Sequence, residues 1–410
     1  MSTKPAAVYR FIARLISPLW LIYTVARSIK DGGRSYLFQR FGFYPADKVD
    51  RIWIHAASVG EVNTVLPLLQ ALQSSGMAQG ILVSTNTPTG KQTLLKQLPD
   101  NCIHRYLPVD LPGACKQFLS SHRLSAAWIM ETEIWPWLYS RCHSKNLPLT
   151  IINGRITEKT LRARDGLLGP SYAKALEGVS VMAKDENEAE RYRVLSNNSA
   201  HVTTVGNLKY GARAATTSNT PLLDTRYCVA ASTHDDEETQ LATAWMLASA
   251  NCTLVIVPRH PERGVAIKDK LRNLGNVPLR SKAEPLNDVP LYIADTLGEL
   301  EHWFAHAQAV FMGGSLIDRG GHNLLEPARF AKLIVTGPSM SNFKDETRLL
   351  EDADGLMRAN SASEAVAILR RAVNDTQWAK QLGTNAQQAI SKNSEITDRY
   401  LKLLLPNFDT

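Results

Sequence analysis

Beyond residue 50 the chain alternates short, near-continuous apolar runs with longer stretches compatible with helix. The runs predict strands at Arg51–Ala56, Ile81–Thr85, Ile103–Leu107, Ala126–Met130, Leu149–Asn153, Val179–Lys184 and Val202–Val205. Strands that are apolar on both faces, each followed by a helical segment, indicate a parallel sheet covered on both sides. Residues 209–224 are small, polar and poor in apolar anchors, which predicts a linker. The strand pattern then restarts at Tyr227–Ala231, Thr253–Val257, Leu291–Ala294, Ala309–Met312 and Leu333–Thr336, and residues 375–405 read as helix. No period of 20–50 residues occurs, so a solenoid is excluded. The expected fold class is α/β: two doubly wound, Rossmann-like domains facing a cleft. The predicted boundaries are 1–40 for an N-terminal segment, 41–210 and 211–385 for the two domains, and 386–410 for a C-terminal helix packing back on the first.

Length and composition agree with two domains and remove other classes. A chain of 410 residues with 44% apolar and 21% charged residues is an ordinary globular protein. Five cysteines, with no Cys-x-x-Cys pair, argue against a zinc ribbon or a disulfide framework and for a reducing compartment. The net charge of +7 changes meaning once it is located. Residues 1–40 carry Lys4, Arg10, Arg14, Arg27, Lys30, Arg34 and Arg40 against Asp31 alone, while the rest of the chain is almost balanced. A nucleic-acid binder spreads its basic face over a folded domain. Here the excess flanks one apolar stretch, and no nucleic-acid partner is expected.

That stretch holds Phe11, Ile12, Leu15, Leu19 and Ile22 with Trp20 and Tyr23, and its longest uncharged run, Leu15–Ala26, is shorter than the roughly 20 residues of a simple span. It predicts a helix lying in a membrane interface, with arginines toward anionic lipids. A span is open if Arg14 and Arg27 snorkel, and a signal peptide is the alternative.

In open parallel sheets ligands bind beyond the carboxyl ends of the strands, and the residues there are unusually polar. After the first strand, Ser58 can cap a helix whose first turn contains Glu61. A carboxylate there is either a helix-start residue favoured by the dipole or a general base aimed into a cleft, and both readings stand. Glu131 and Glu133 follow another apolar strand, and at least one of them must find a partner, since a buried unpaired carboxylate is costly. The turn Ser84–Lys91, including Thr87, suits oxygen or phosphate groups but lacks P-loop spacing. In the second half, Ser232-Thr233-His234, Pro258-Arg259-His260 and Gly313-Gly314-Ser315 end three strands. The last runs into Asn323-Leu324-Leu325-Glu326. Together they predict an anion site of backbone N–H groups and Arg259, with Glu326 accepting ribose hydroxyls. His55, His234, His260 and His322 show no metal-binding spacing and are expected to be hydrogen-bonded within the site.

Several of these stretches, in this order, resemble the 3-deoxy-D-manno-octulosonic acid (Kdo) transferases. They are 53–62, 84–90, 130–136, 206–210, 231–234, 258–263, 313–315 and 320–326, with Gly337-Pro338 and Asn342-Phe343. The resemblance implies the two-domain GT-B fold and transfer of Kdo from CMP-Kdo to the lipid A precursor in lipopolysaccharide biosynthesis. It also implies inversion at the anomeric carbon, no cofactor and no catalytic metal. It places the enzyme on the cytoplasmic side of the inner membrane, among anionic lipids. By position, Glu61 resembles the base, and Glu131 and Lys209 the pair that stabilises the transition state. Pro258, Arg259, Leu297, Gly298, Glu299, Asn323, Leu324, Leu325 and Glu326 resemble the CMP contacts. Ser232, Thr233, Gly313, Gly314 and Ser315 are expected on the donor side, and Ser58, Gly60, Thr87 and Arg155 on the acceptor side. Departures occur at Gly154, Ile156 and Thr157, at Trp137 and at Gly211, where the family commonly has other residues. The alternatives are a GT-B enzyme with another nucleotide-sugar donor, such as a UDP-sugar, and a non-catalytic sugar or lipid binder at the membrane.

Overall fold

The computed structural model describes residues 5–75, 80–211, 220–248, 251–284, 289–391 and 395–405. The chain divides into two compact units, residues 1–212 with 395–410, and residues 213–394. Each is built on one parallel sheet.

The first sheet has seven strands: β1 Asp47–His55, β2 Gly80–Thr85, β3 Cys102–Tyr106, β4 His122–Met130, β5 Leu149–Gly154, β6 Ser180–Ala183 and β7 His201–Thr204. Their spatial order is β3-β2-β1-β4-β5-β6-β7, and every pairing is parallel. The chain winds outward from β1 in one direction and from β4 in the other, which makes the β1/β4 boundary the topological switch point. Apolar side chains alternate between the two covered faces. Trp53, Leu82, Ala127 and Ile129 pack with Phe118 and Leu138, while Ile52, Ile54, Val83 and Met130 pack with the helix Val59–Ser74.

The second sheet has six strands: β8 Tyr227–Thr233, β9 Thr253–Pro258, β10 Leu291–Ile293, β11 Ala309–Met312, β12 Leu333–Thr336 and β13 Leu356–Arg358. The order β10-β9-β8-β11-β12-β13 is again wholly parallel, with its switch point between β8 and β11. One core joins β8, β9, β11 and β12 to the helices Glu237–Leu247 and Ala362–Asn374. The strand Leu356–Arg358 has no counterpart among the predicted ones, because only Leu356 of its three residues is buried and apolar, so no apolar run marks it.

Two boundaries differ from expectation. Residue 386 falls inside the helix Thr376–Ser391, whose Ala379 belongs to the second core; the first unit resumes only at Glu395. The helix Ile396–Leu404 then packs Ile396, Tyr400 and Leu401 against the first core. Of the expected linker, residues 212–219 lie outside the described residues, while Lys209, Tyr210 and Gly211 sit in a 3-10 turn of the first unit, Leu208–Gly211.

The N-terminal helix Ala7–Arg27 continues through a widened turn, Ser28–Gly32, into Gly33–Arg40, and is long and apolar enough to cross a membrane. Phe11, Leu15, Leu19 and Ile22, spaced along one face, are 68%, 67%, 64% and 66% exposed. Its other side is held to the first unit: Tyr9 Oη donates to Asp110 at 2.5 Å, and Ala13 joins the core. The basic flank is smaller than the sequence count. Arg40 is buried, donating to the Leu107 carbonyl at 2.6 Å and to Asn86 at 3.1 Å, so it fastens the segment to the sheet.

Candidate active site

At the first switch point the carboxyl ends of β1 and β4 bring three glutamates and a histidine into one neighbourhood. Ser58 caps the helix Val59–Ser74, accepting from Glu61 N at 3.4 Å. The Glu61 carboxylate turns back to accept from Ala57 N at 2.9 Å and from Ser58 Oγ at 3.1 Å. This reciprocal arrangement is a variant of the capping box in which the carboxylate accepts from the residue before the cap, so the helix-start reading of Glu61 holds. Burial nevertheless pushes its carboxyl up to about 8, and the nearby charges of Glu133 and Glu131 add to the effect. A carboxyl near neutrality, at a switch point and hydrogen-bonded on one side, is suited to move a proton.

Glu133 is the glutamate that found partners. Its Oε2 accepts from Trp135 Nε1 at 2.8 Å and Asn86 Nδ2 at 3.2 Å, and lies 3.7 Å from His55 Nε2. Burial alone would raise its carboxyl. The nearby His55 imidazole, with the Trp135 and Asn86 donors, holds it below the ordinary value. His55 is fully buried, its Nδ1 within 2.9 Å of Ser84 Oγ. Sequence reasoning singled out His55 and the two glutamates but not this link, which depends on β1 and β2 placing His55 opposite Ser84.

Glu131 is aimed by its backbone. It takes a left-handed φ of 52°, as does Asn153 at the end of β5, a conformation that costs a non-glycine residue about 1 kcal/mol. The Tyr192 hydroxyl donates to the Glu131 carbonyl at 2.6 Å and secures the turn. Asn153 then couples two predicted residues: its Nδ2 lies 3.5 Å from Glu131 Oε1, and its Oδ1 accepts from Leu208 N at 2.9 Å, beside Lys209. Tyr400, from the returning C-terminal helix, accepts from Asn153 N at 3.1 Å and donates to the Gly206 carbonyl at 3.0 Å.

The residues expected on the acceptor side are less uniform. The Thr87 hydroxyl caps the helix Pro88–Leu95, accepting from Gly90 N at 3.1 Å, and Gly60 lies in the first turn of the helix after Ser58. The Arg155 carbonyl accepts from Thr132 Oγ1 at 2.6 Å, and its side chain is exposed beside the Glu131 turn.

At the second switch point the Gly-rich turn differs from its expected role. Gly314 N, Ser315 N and Leu316 N donate to the carboxylate of Glu237 at 2.7, 3.0 and 3.0 Å, and Gly313 N donates to the Ala231 carbonyl. The anion in this nest is the protein's own buried Glu237. Gly313 is required by close packing, since a Cβ there would come within 2.7 Å of the Ser232 carbonyl oxygen. Ser315 Oγ donates to the Met312 carbonyl and accepts from Gly337 N. Ser232 has a left-handed φ of 53°, and Thr233 is fully buried beside it.

Side chains remain to meet an anion. Pro258 ends β9, and Arg259 is exposed just after it, its N donating to the Thr233 carbonyl at 2.9 Å. Asn323 Oδ1 accepts from Leu325 N, its Nδ2 donates to Glu326 at 3.0 Å, and Leu324 precedes the short helix Leu325–Arg329. Burial raises the Glu326 carboxyl. Leu297 is 80% exposed and Gly298 has a left-handed φ of 87°, while the Glu299 carboxylate is engaged by Arg280 at 2.8 and 3.1 Å and by Thr296. Among the described residues no group of three or more His, Cys, Asp or Glu is placed to hold a metal.

Two parallel doubly wound units, each with polar groups gathered at its switch point, define a GT-B-type fold. A glycosyltransferase from Rickettsia africae shares it at 13% identity, over 88% of this chain and 100% of that one, with a TM-score of 0.54. UDP-GlcNAc 2-epimerase from Neisseria meningitidis does so at 9% identity, over 87% and 100%, with a TM-score of 0.56. At such identities the likeness is one of fold. Sequence similarity narrows the class: residues 35–212 match the family described as 3-deoxy-D-manno-octulosonic-acid transferase (kdotransferase). The 3-deoxy-D-manno-octulosonic acid transferase of Haemophilus influenzae is 30% identical, with 97% of each chain covered. The chain belongs to the Kdo transferase family, the glycosyltransferases that add Kdo in lipopolysaccharide biosynthesis.

Proposed function

We propose that the enzyme transfers Kdo from CMP-Kdo to the lipid A precursor with inversion. In this reading the first unit receives the acceptor and the second holds the donor. The observation that carries it is the contrast between the two switch points: a carboxylate cluster with Glu61 near neutrality in one unit, and an arginine–histidine group beside a Gly-rich turn in the other.

Inversion is a single displacement. The acceptor oxygen bonds to the anomeric carbon from the face opposite the phosphate, and the carbon–oxygen bond to CMP breaks with its electron pair staying on the phosphate. The hydroxyl proton goes to Glu61, which must be ionised to accept it. Positive charge develops on the sugar ring, where the Glu131 carboxylate stabilises it, and negative charge develops on the departing phosphate, where Lys209 and Arg259 act. Asn323 and Glu326 hold the nucleotide's ribose. The family's reaction supports this assignment, as does the tie of Asn153 to both Glu131 and the turn carrying Lys209.

The exposed apolar face of Ala7–Arg27, flanked by arginines, supports attachment to the cytoplasmic face of the inner membrane, where anionic lipids surround the acceptor. The donor assignment is tested by competition. CMP should inhibit turnover and UDP should not, whereas inhibition by UDP alone would move the enzyme to a UDP-sugar donor. Arg259→Ala should weaken CMP binding by about tenfold or more, and an unchanged affinity would remove Arg259 from the phosphate.

A further inference from the structure

With the Gly-rich nest filled by Glu237, an incoming phosphate must be met by side chains outside the turn. Two imidazoles stand there. His234, just after β8, and His322, in the loop before Leu325–Arg329, lie with ring planes 9° apart, centroids at 5.1 Å and Nε2 to Nε2 at 2.8 Å. Both pack on Gly314. A Cβ there would come within 3.2 Å of His322 Nε2 and 3.4 Å of His234 Cδ2, and φ is left-handed at 66°. A glycine at this point therefore makes room for the pair.

An imidazole–imidazole hydrogen bond needs one proton between the two nitrogens. The neutral pair has one ring protonated at Nε2 and the other at Nδ1. With one more proton the pair keeps the same bond, carries a single positive charge and has both Nδ1–H groups as donors. Two fully charged rings cannot form it.

Arginines dominate the surroundings. Arg259 and Arg263 come from the segment after β9 and Arg319 from the loop after β11, and the His260 ring lies 6.2 Å from that of His234. The nearby carboxylates are already engaged. Glu238 pairs with Arg263 at 2.8 Å, Asp235 with Lys270 and Arg263, and Glu262 with His260, while Glu237 faces the backbone N–H groups. Burial and these positive neighbours hold both imidazoles on the neutral side, His322 down to about 4. A phosphate added to the group reverses the sign of the field.

We propose that His234 and His322 act as one proton-accepting unit for the phosphate of the nucleotide donor, neutral in the empty site and taking up a proton as the nucleotide binds. The proposal rests on the second unit being the donor unit. The proton comes from solvent and no covalent bond changes at this step. Its value to the reaction follows from charge. The phosphate of a nucleotide sugar is a monoanion and that of the departing CMP a dianion, so the charged pair holds the leaving group more tightly than the donor.

The test is calorimetric titration of CMP into the full-length, detergent-solubilised enzyme at pH 7.5, in two buffers of different ionisation enthalpy. CMP is already largely dianionic there, its second pKa being about 6. The expected result is uptake of about one proton per CMP, and an affinity that tightens about tenfold between pH 8.5 and pH 7. Cytidine should show neither effect. His322→Gln and His234→Gln, checked for folding by thermal melting, should abolish the uptake and leave CMP affinity nearly independent of pH. CMP binding in the wild type without proton uptake would overturn the histidine pair and leave the donor site standing. Failure to bind CMP at any pH would overturn the donor assignment together with the pair.

Discussion

As proposed, Glu61 serves two purposes that its sequence context presents as rivals. Its carboxylate closes the capping box at the start of Val59–Ser74, and the same burial that makes those bonds strong lifts its carboxyl to about 8. Glu61→Gln keeps the cap in outline and removes the proposed base. Turnover should fall by about 10² to 10⁴ while CMP affinity stays unchanged, measured by radiolabelled transfer and calorimetry; wild-type turnover would exclude Glu61 as base. Because the proposed base acts in its ionised form, kcat at saturating CMP-Kdo should climb with pH through about 8 and level off above it. The same raised carboxyl works against the fold. Between the ordinary value of 4.5 and about 8 the unfolded chain is ionised and the folded one is not, so stability falls as pH rises through that window. Denaturant midpoints should show that slope flattened in Glu61→Gln. Glu237 was beyond reading from sequence: the four acidic residues Asp235–Glu238 gave no sign that one fills the nest formed by Gly314, Ser315 and Leu316. Its replacement by Ala leaves several buried N–H groups unpaired and should lower unfolding free energy by about 3 kcal/mol or more, read from urea unfolding.

Elements carry the site by how strands end. Glu131, Asn153 and Ser232 all take left-handed φ at or just beyond the ends of β4, β5 and β8, which turns their side chains out of the sheet. Apolar runs located those strand ends to within a residue or two, because parallel strands buried on both faces are nearly continuous in apolar residues. The turn conformations were not legible, since none of the three is glycine. The return of the chain at Ile396–Leu404 was expected, whereas the use of its Tyr400 was not. Tyr400→Phe removes the hydroxyl shared by Asn153 N and the Gly206 carbonyl and should cost about 1–2 kcal/mol, measured by chemical denaturation. The N-terminal helix calls for a gentler test than deletion, since deletion would also remove the Tyr9–Asp110 bond. Leu15, Leu19 and Ile22 are exposed, so changing all three to Glu should leave the melting temperature in place and shift the protein from the vesicle pellet to the supernatant. Continued sedimentation with anionic vesicles would assign the attachment to another surface.

For the whole molecule, two sheets share the same winding order. The strand order 3-2-1-4-5-6-7 in one unit and its six-stranded equivalent in the other each create one switch point, and polar side chains gather there in both. That much was readable, because the alternation of buried strands and helices fixes winding once connections are right-handed. The identity of the groups gathered at the two switch points was readable only in part. Arg259 and Glu61 lie in their motifs, while the His234–His322 contact and the Glu133–His55–Asn86 link join residues far apart in the chain. The central claim, Kdo transfer from CMP-Kdo to the lipid A precursor, is tested most directly by mass spectrometry of the lipid. The detergent-solubilised enzyme is incubated with a CMP-Kdo-generating system and tetra-acylated lipid A precursor. A mass gain equal to one or more Kdo units is the expected result, and it should disappear in Glu61→Gln. Unmodified lipid in the presence of intact CMP-Kdo would contradict the assignment of donor and acceptor.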